Sequence, residues 1–182
     1  MAFCQVQWHS EVLGKALGLN VILPDCGEGP FPVFYLLHGL SDDHTIWHRR
    51  TRIERYVNEL PLIVVMPDGF RGFYTDHENG PAYATYMAEE LPAFVERNFP
   101  AKADRASRCI GGLSMGGYGA MRLALGYPDV YCSANSHSGA PTFGHEVADF
   151  AGDRAAEWEL ITGPDPTGSE HDLFALADRC AK

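Results

Sequence analysis

The stretch C-I-G-G-L-S-M-G-G-Y-G, Cys109 to Gly119, places five glycines around Ser114. Its first residues continue "SRCIG" (107–111), a short run suited to a strand. Its last residues open a helix, Met115–Leu125, that Gly126 and Pro128 close. Gly112-Leu113-Ser114-Met115-Gly116 therefore reads as a turn from strand to helix within a residue or two. Such a turn holds its central residue in a strained conformation and exposes the side chain. Side chains two residues away on either side would strike backbone, so small residues are needed there. The helix that follows aims its N-terminal N–H groups, Met115 first, at any negative charge formed beside Ser114. A phosphate-binding loop would want Lys or Arg next, and Tyr118 stands there instead.

Outward from this turn, strand and helix patterns alternate. "CQVQW" (4–8) and "ALGLNVILP" (16–24) show the two-residue period of half-buried strands. "VFYLL" (33–37) and "LIVVM" (62–66) are apolar throughout, as strands covered on both faces tend to be. Between them Ile46, Ile53, Val57 and Leu60 share one helical face, opposite Arg49, Arg50 and Arg52. A second helix runs through Tyr83–Val95, kinked or split by Pro92. "YCSANS" (131–136) is the sixth strand. The expected fold is α/β: a mostly parallel sheet flanked by helices and led by an antiparallel hairpin. Ligands bind beyond the carboxyl ends of strands in such sheets, which puts Gly39–Thr45, Asp68–Gly80, the Ser114 turn and His137–Gly144 on one rim.

Bulk composition limits the partners. The chain has 182 residues, 46% hydrophobic and 21% charged, enough for one domain with a sizeable core. A net charge of −10 disfavours nucleic acid and anionic membrane surfaces. No apolar run reaches membrane-spanning length, and the first residues lack a secretion signal. Five dispersed cysteines read as reduced thiols of a cytoplasmic protein. No cofactor is called for. Asp42, Asp43, His44 and His48 offer two histidines at helical spacing, but Thr45 stands where a zinc motif needs Glu, so no metal site is assigned.

His38-Gly39-Leu40 ends the third strand on the Ser114 rim. Gly39 lets the backbone present the Leu40 N–H toward Ser114, beside that of Met115, as a pair of oxyanion donors. His38 reads as a loop-fixing residue rather than a base. Asp68, Tyr74 and Asp76 are candidates for the rim, with loop hydrogen bonding as the competing explanation.

Together "FYLLHGLSDDHTIWHRRTRIERY", "VVMPDG", "FYTD", "EELPAFVERNF" and "GLSMGGYGAMRLAL" resemble the esterase D group of α/β-hydrolases, nearest to bacterial tributyrin-esterase-like carboxylesterases. S-formylglutathione hydrolases and acetylxylan or feruloyl esterases are relatives within that resemblance. It implies an α/β-hydrolase fold and a serine carboxylesterase cleaving short-chain acyl esters, small molecules, through an acyl-enzyme. Ser114 would be the nucleophile and Leu40 and Met115 the oxyanion hole. The family's acid and histidine follow the seventh and eighth strands, and no matching Asp or His occurs here. The expectation is thus a single domain, residues 1–182, truncated after the sixth strand and the following helix. A fragment, or a second copy supplying the missing groups, accounts for this better than a substitute base, for which His137 is the leading in-chain candidate. An unpaired sixth-strand edge would favour homo-oligomers. Two alternatives stand beside the esterase: a catalytically dead binding protein of the same fold, and an S-formylglutathione thioesterase.

Overall fold

A computed structural model describes residues 1–145 and 154–180. Its strands are β1 (Ala2–Ser10), β2 (Lys15–Leu23), β3 (Val33–Leu37), β4 (Ile63–Pro67), β5 (Arg108–Leu113) and β6 (Ser133–His137). They form one sheet in the order β1-β2-β4-β3-β5-β6. β1 pairs antiparallel with β2, and β2 antiparallel with β4. β4, β3, β5 and β6 run parallel. The expected hairpin-led parallel sheet is what forms.

The wholly apolar runs are explained by two cores, one on each face of the sheet. Val33, Tyr35 and Leu37 of β3, with Ile63 and Val65 of β4, enter the larger core. Leu36, Val64 and Met66, facing the other way, enter a smaller one with Ile22. Alternate residues of a strand point to opposite faces, so a strand covered on both sides must be apolar at every position. Helices α1 (Ile46–Arg50) and α2 (Ile53–Val57) cover the smaller core with Trp47, Ile53 and Val57. The larger core lies under α3 (Tyr83–Thr85), a π-helical turn (Tyr86–Glu90), α4 (Leu91–Asn98), α5 (Met115–Gly126), α6 (Ala155–Thr162) and α7 (Leu173–Cys180). No helix among the described residues is long and apolar enough to cross a membrane.

Three local features differ from the sequence pattern. The helix expected through Leu60 breaks at Thr51, whose backbone is extended. The Thr51 hydroxyl donates to the Trp47 carbonyl and accepts the Ile53 N–H, replacing helical bonds with local ones. Helix Tyr83–Asn98 is interrupted at Tyr86–Glu90 rather than at Pro92 itself. Pro92 sits in the first turn of α4, where a missing N–H is tolerated, and the π turn just ahead absorbs the misfit. β6 begins at Ser133 rather than at Tyr131, ends the sheet order and is largely exposed.

Candidate active site

Ser114 links β5 to α5 at φ +56° and ψ −113°, a conformation that non-glycine residues rarely hold. Its N–H donates to the His137 carbonyl (2.9 Å), and its own carbonyl accepts the Tyr118 N–H (3.0 Å). A Cβ on Gly112 would lie 2.5 Å from the Gly116 carbonyl oxygen, and one on Gly116 2.6 Å from that of Leu37. Both contacts are with backbone, which cannot move aside. The glycines flanking the serine are therefore steric clearance for a tight crossing of β3, β5 and α5. Ser114 itself is exposed, whereas Met115 and Tyr118 bury one turn of α5 beneath it.

The loop after β3 lies against this turn. A Cβ on Gly39 would come within 3.9 Å of Ser114 Cβ and 3.7 Å of the Leu113 carbonyl oxygen. His38 is buried, and its ring nitrogens are both occupied. Nε2 accepts the Gly69 N–H (2.9 Å), which leaves Nδ1–H to donate to the Gly39 carbonyl (2.7 Å). An amide N–H can only donate, so this ring is the neutral Nδ1–H tautomer. His38 fixes the loop and is not poised as a base. Tyr74, fully buried rather than rim-lining, donates its hydroxyl to the His38 carbonyl (3.0 Å) and braces the loop from below. Neither the Leu40 nor the Met115 N–H donates to any described residue. Met115 opens α5, where first-turn amides have no partner within the helix, and Leu40 follows Gly39 in the loop against the Ser114 turn.

The remaining candidates have structural tasks. Asp76 accepts the N–H groups of Ala84 (2.8 Å) and Thr85 (2.9 Å) and the Thr85 hydroxyl, and so holds the start of α3. Asp43 accepts the Thr45 N–H (2.8 Å), closing the turn ahead of α1. The Asp68 carboxylate accepts the Phe70 N–H (2.8 Å). Burial alone would push its carboxyl up, but the Phe70 N–H and the nearby His44 ring favour the carboxylate, and its value lies below the ordinary one. His77 bonds to the Gly72 carbonyl (3.3 Å), and burial lowers its pKa. His171 bonds to the Thr75 hydroxyl (2.8 Å), and His145 to Asp172 (2.8 Å). Sequence pattern gave no sign of these last two pairings, since the partners lie far apart in the chain.

His137 reaches Ser114 through its backbone. It is in register with Leu113, so its exposed side chain leaves the sheet on Leu113's side, and no hydrogen bond joins it to the Ser114 hydroxyl. Among the described residues no group of three His, Cys, Asp or Glu could hold a metal ion.

The family model for Esterase matches residues 10–175. The chain belongs to the esterase family. This esterase-family chain is 34% identical over 145 residues to an esterase of Mycobacterium tuberculosis, spanning 73% of this chain and 31% of that protein. It is 33% identical over 138 residues to an acetyl esterase of Caldicellulosiruptor saccharolyticus, 70% of this chain and 52% of the other. The chain thus spans about a third to a half of these two relatives. Among solved structures it resembles FphF, a fluorophosphonate-binding serine hydrolase of Staphylococcus aureus determined with substrate bound. That likeness has a TM-score of 0.86 at 33% identity and covers 99% of this chain and 73% of FphF. The fold of this esterase-family member is accordingly that of the α/β-hydrolase serine hydrolases, with about a quarter of FphF lacking a counterpart here.

Proposed function

We propose that the chain carries the nucleophile and oxyanion half of a serine carboxylesterase acting on short-chain acyl esters. The observation that carries this reading is Ser114 held exposed at positive φ at the N-terminus of α5, with Gly39 against it. Ser114 Oγ attacks the ester carbonyl, and the Leu40 and Met115 N–H groups hold the oxyanion of the tetrahedral intermediate. The alcohol departs and leaves an acyl-serine, which water then hydrolyses. The helix N-terminus of α5 favours the same negative charge.

A serine hydroxyl needs a base to attack at neutral pH. The base and its orienting acid are assigned to groups other than the described residues: either further residues of the fold or a second copy docked at β6. The engaged rings of His38, His77, His145 and His171 support this over an in-chain substitute. His137, whose backbone carbonyl meets Ser114, is the in-chain candidate to test. Five free thiols fit a reducing, cytoplasmic setting.

The test is labelling with a fluorophosphonate, followed by intact mass. A single adduct on Ser114, lost in Ser114→Ala, is the expected result, with turnover of 4-nitrophenyl butyrate falling by about a thousandfold or more in that variant. Full labelling in Ser114→Ala would overturn the assignment, and no labelling in either would favour a dead binding protein. Loss of labelling in His137→Ala would make His137 the base. Matched butyryl esters and thioesters separate the esterase from the thioesterase.

A further inference from the structure

The start of β5 and the approach to β6 bring two cysteines together. Cys109 is the second residue of β5, and Cys132 stands just ahead of β6. The Cys132 N–H donates to the Arg108 carbonyl (2.9 Å), so the two backbones already lie at the spacing of paired strands. The thiols meet, Sγ to Sγ, at 3.9 Å, and the Cys132 thiol donates to the Ala106 carbonyl (3.3 Å). Both side chains are half-buried, which leaves part of each open to a small solute. Among the described residues no other two cysteines make such a contact. A cysteine that merely fills a core needs neither a second thiol beside it nor access to solvent.

We propose that Cys109 and Cys132 are an oxidant-sensitive dithiol, which hydrogen peroxide converts to a disulfide that fastens β6 to β5. Strand spacing suits the bond. Disulfide Cα atoms usually stand about 4.4–6.8 Å apart, a range that includes neighbouring strands, so side-chain rotation can bring the sulfurs to bonding distance. The Cys132 thiolate attacks one peroxide oxygen, the O–O bond breaks, and a sulfenic acid forms while the other oxygen leaves as water. Cys109 Sγ then attacks the sulfenyl sulfur, the S–O bond breaks, and the departing hydroxide takes the Cys109 proton as a second water. Two thiols lose two electrons in all, and one peroxide gains them. Burial and the neighbouring Cys132 push the Cys109 thiol up, which makes Cys132 the first to react and Cys109 the one that resolves. The bond closes a covalent loop around the Ser114 turn and the whole of α5, and so removes freedom from the unfolded chain. It sits at the opposite end of β5 from Ser114, about 15 Å along the strand, and acts on stability rather than on the serine.

The experiment treats dilute protein with a small excess of hydrogen peroxide, blocks the remaining thiols with N-ethylmaleimide and maps tryptic peptides. Trypsin separates residues 109–122 from 123–154. These two peptides should appear joined, two hydrogens lighter than their sum, and part again with dithiothreitol. The oxidised chain should melt about 5 °C or more above the reduced one. Cys109→Ser should stop at a Cys132 sulfenic acid that dimedone traps, with no joined peptide and no rise in melting temperature. Replacing Cys4, Cys26 and Cys180 together by serine should leave both the joining and the rise intact. Joining only between copies, or sulfinic acids at both positions with no joined peptide, would overturn the dithiol. A joined pair that melts no higher, or that loses fluorophosphonate labelling of Ser114 present in the reduced chain, would overturn its role as a clamp on stability.

Discussion

The Ser114 amide donates to the His137 carbonyl across 2.9 Å, so the end of β6 holds the turn that follows β5. This contact lies outside the regular ladder and stabilises a backbone conformation that the serine would not choose alone. Strain of this kind persists only where surrounding structure over-determines it. Here the determinants are the His137 carbonyl, the Tyr118 amide and the two backbone crossings at Gly112 and Gly116.

Releasing that strain should therefore stabilise the protein. Ser114→Gly places at φ +56° a residue with no Cβ penalty and should gain about 1 kcal/mol. A rise of roughly 2–4 °C in melting temperature is expected for a chain of this size. Ser114→Ala keeps the strain and should not show the gain. Differential scanning calorimetry of the two variants separates them, and equal stability would mean that the turn is not strained.

Clearance and conformation can be told apart at two other glycines. Gly116→Ala drives a Cβ to within 2.6 Å of the Leu37 carbonyl oxygen and should cost about 3 kcal/mol or more. Gly126, the last residue of α5, has only the Arg122 guanidinium at 4.0 Å and no positive φ. Gly126→Ala should be neutral or gain up to about 1 kcal/mol through the unfolded chain's lost freedom. Urea melts of both variants check the contrast, and a mild Gly116→Ala would show that β3 and α5 can part.

Much of this was legible in the sequence because it is written locally. The two-core strands announce themselves as unbroken apolar runs at Val33–Leu37 and Leu62–Met66, and the Ser114 turn as glycines at fixed offsets. The break at Thr51 was hidden because a threonine in a helical pattern gives no sign that its hydroxyl will bond to Trp47 and Ile53 instead. Tyr74 looked like a rim residue from its loop position, but its burial is set by the His38 carbonyl, 36 residues away in the chain. The pairing of His145 with Asp172 likewise depends on tertiary packing that no periodicity encodes.

Acid should loosen α7 before the sheet. Burial holds the His171 imidazole below its ordinary 6.5. Burial raises the Asp172 carboxyl, but bonds from His145 and from the Gly168, Ala175 and Phe174 amides outweigh it and leave the value below 3.8. Both groups bind protons more readily when unfolded, so each adds stability as pH rises. His171's contribution is complete above pH 6.5 and fades as pH falls toward its folded value. Asp172's is complete above 3.8 and is lost at still lower pH. Hydrogen exchange of Leu173–Cys180 amides should accelerate in that order, and His171→Gln should remove the first step. Protection that is flat down to the carboxylate range would contradict this.

The free side of β6 gives the last prediction. β6 ends the sheet order, and Ser133, Asn135, Ser136 and His137 are exposed. Its far edge has no strand partner among the described residues, so its outward N–H and C=O groups are a template for another strand. The strand is polar rather than apolar, which points to backbone pairing between ordered copies rather than to hydrophobic aggregation. The chain is therefore expected to self-associate with rising concentration, edge to edge. Asn135→Lys should favour the monomer, since charge on an edge strand opposes pairing. The same contact would place a second copy beside the carboxyl end of β6, on the rim that carries Ser114, so fluorophosphonate labelling should rise with association and fall in Asn135→Lys. Size-exclusion chromatography with light scattering reads the first effect and intact mass the second. A monomer at every concentration would overturn the edge pairing, and labelling that ignores association would remove the second copy as the source of the base.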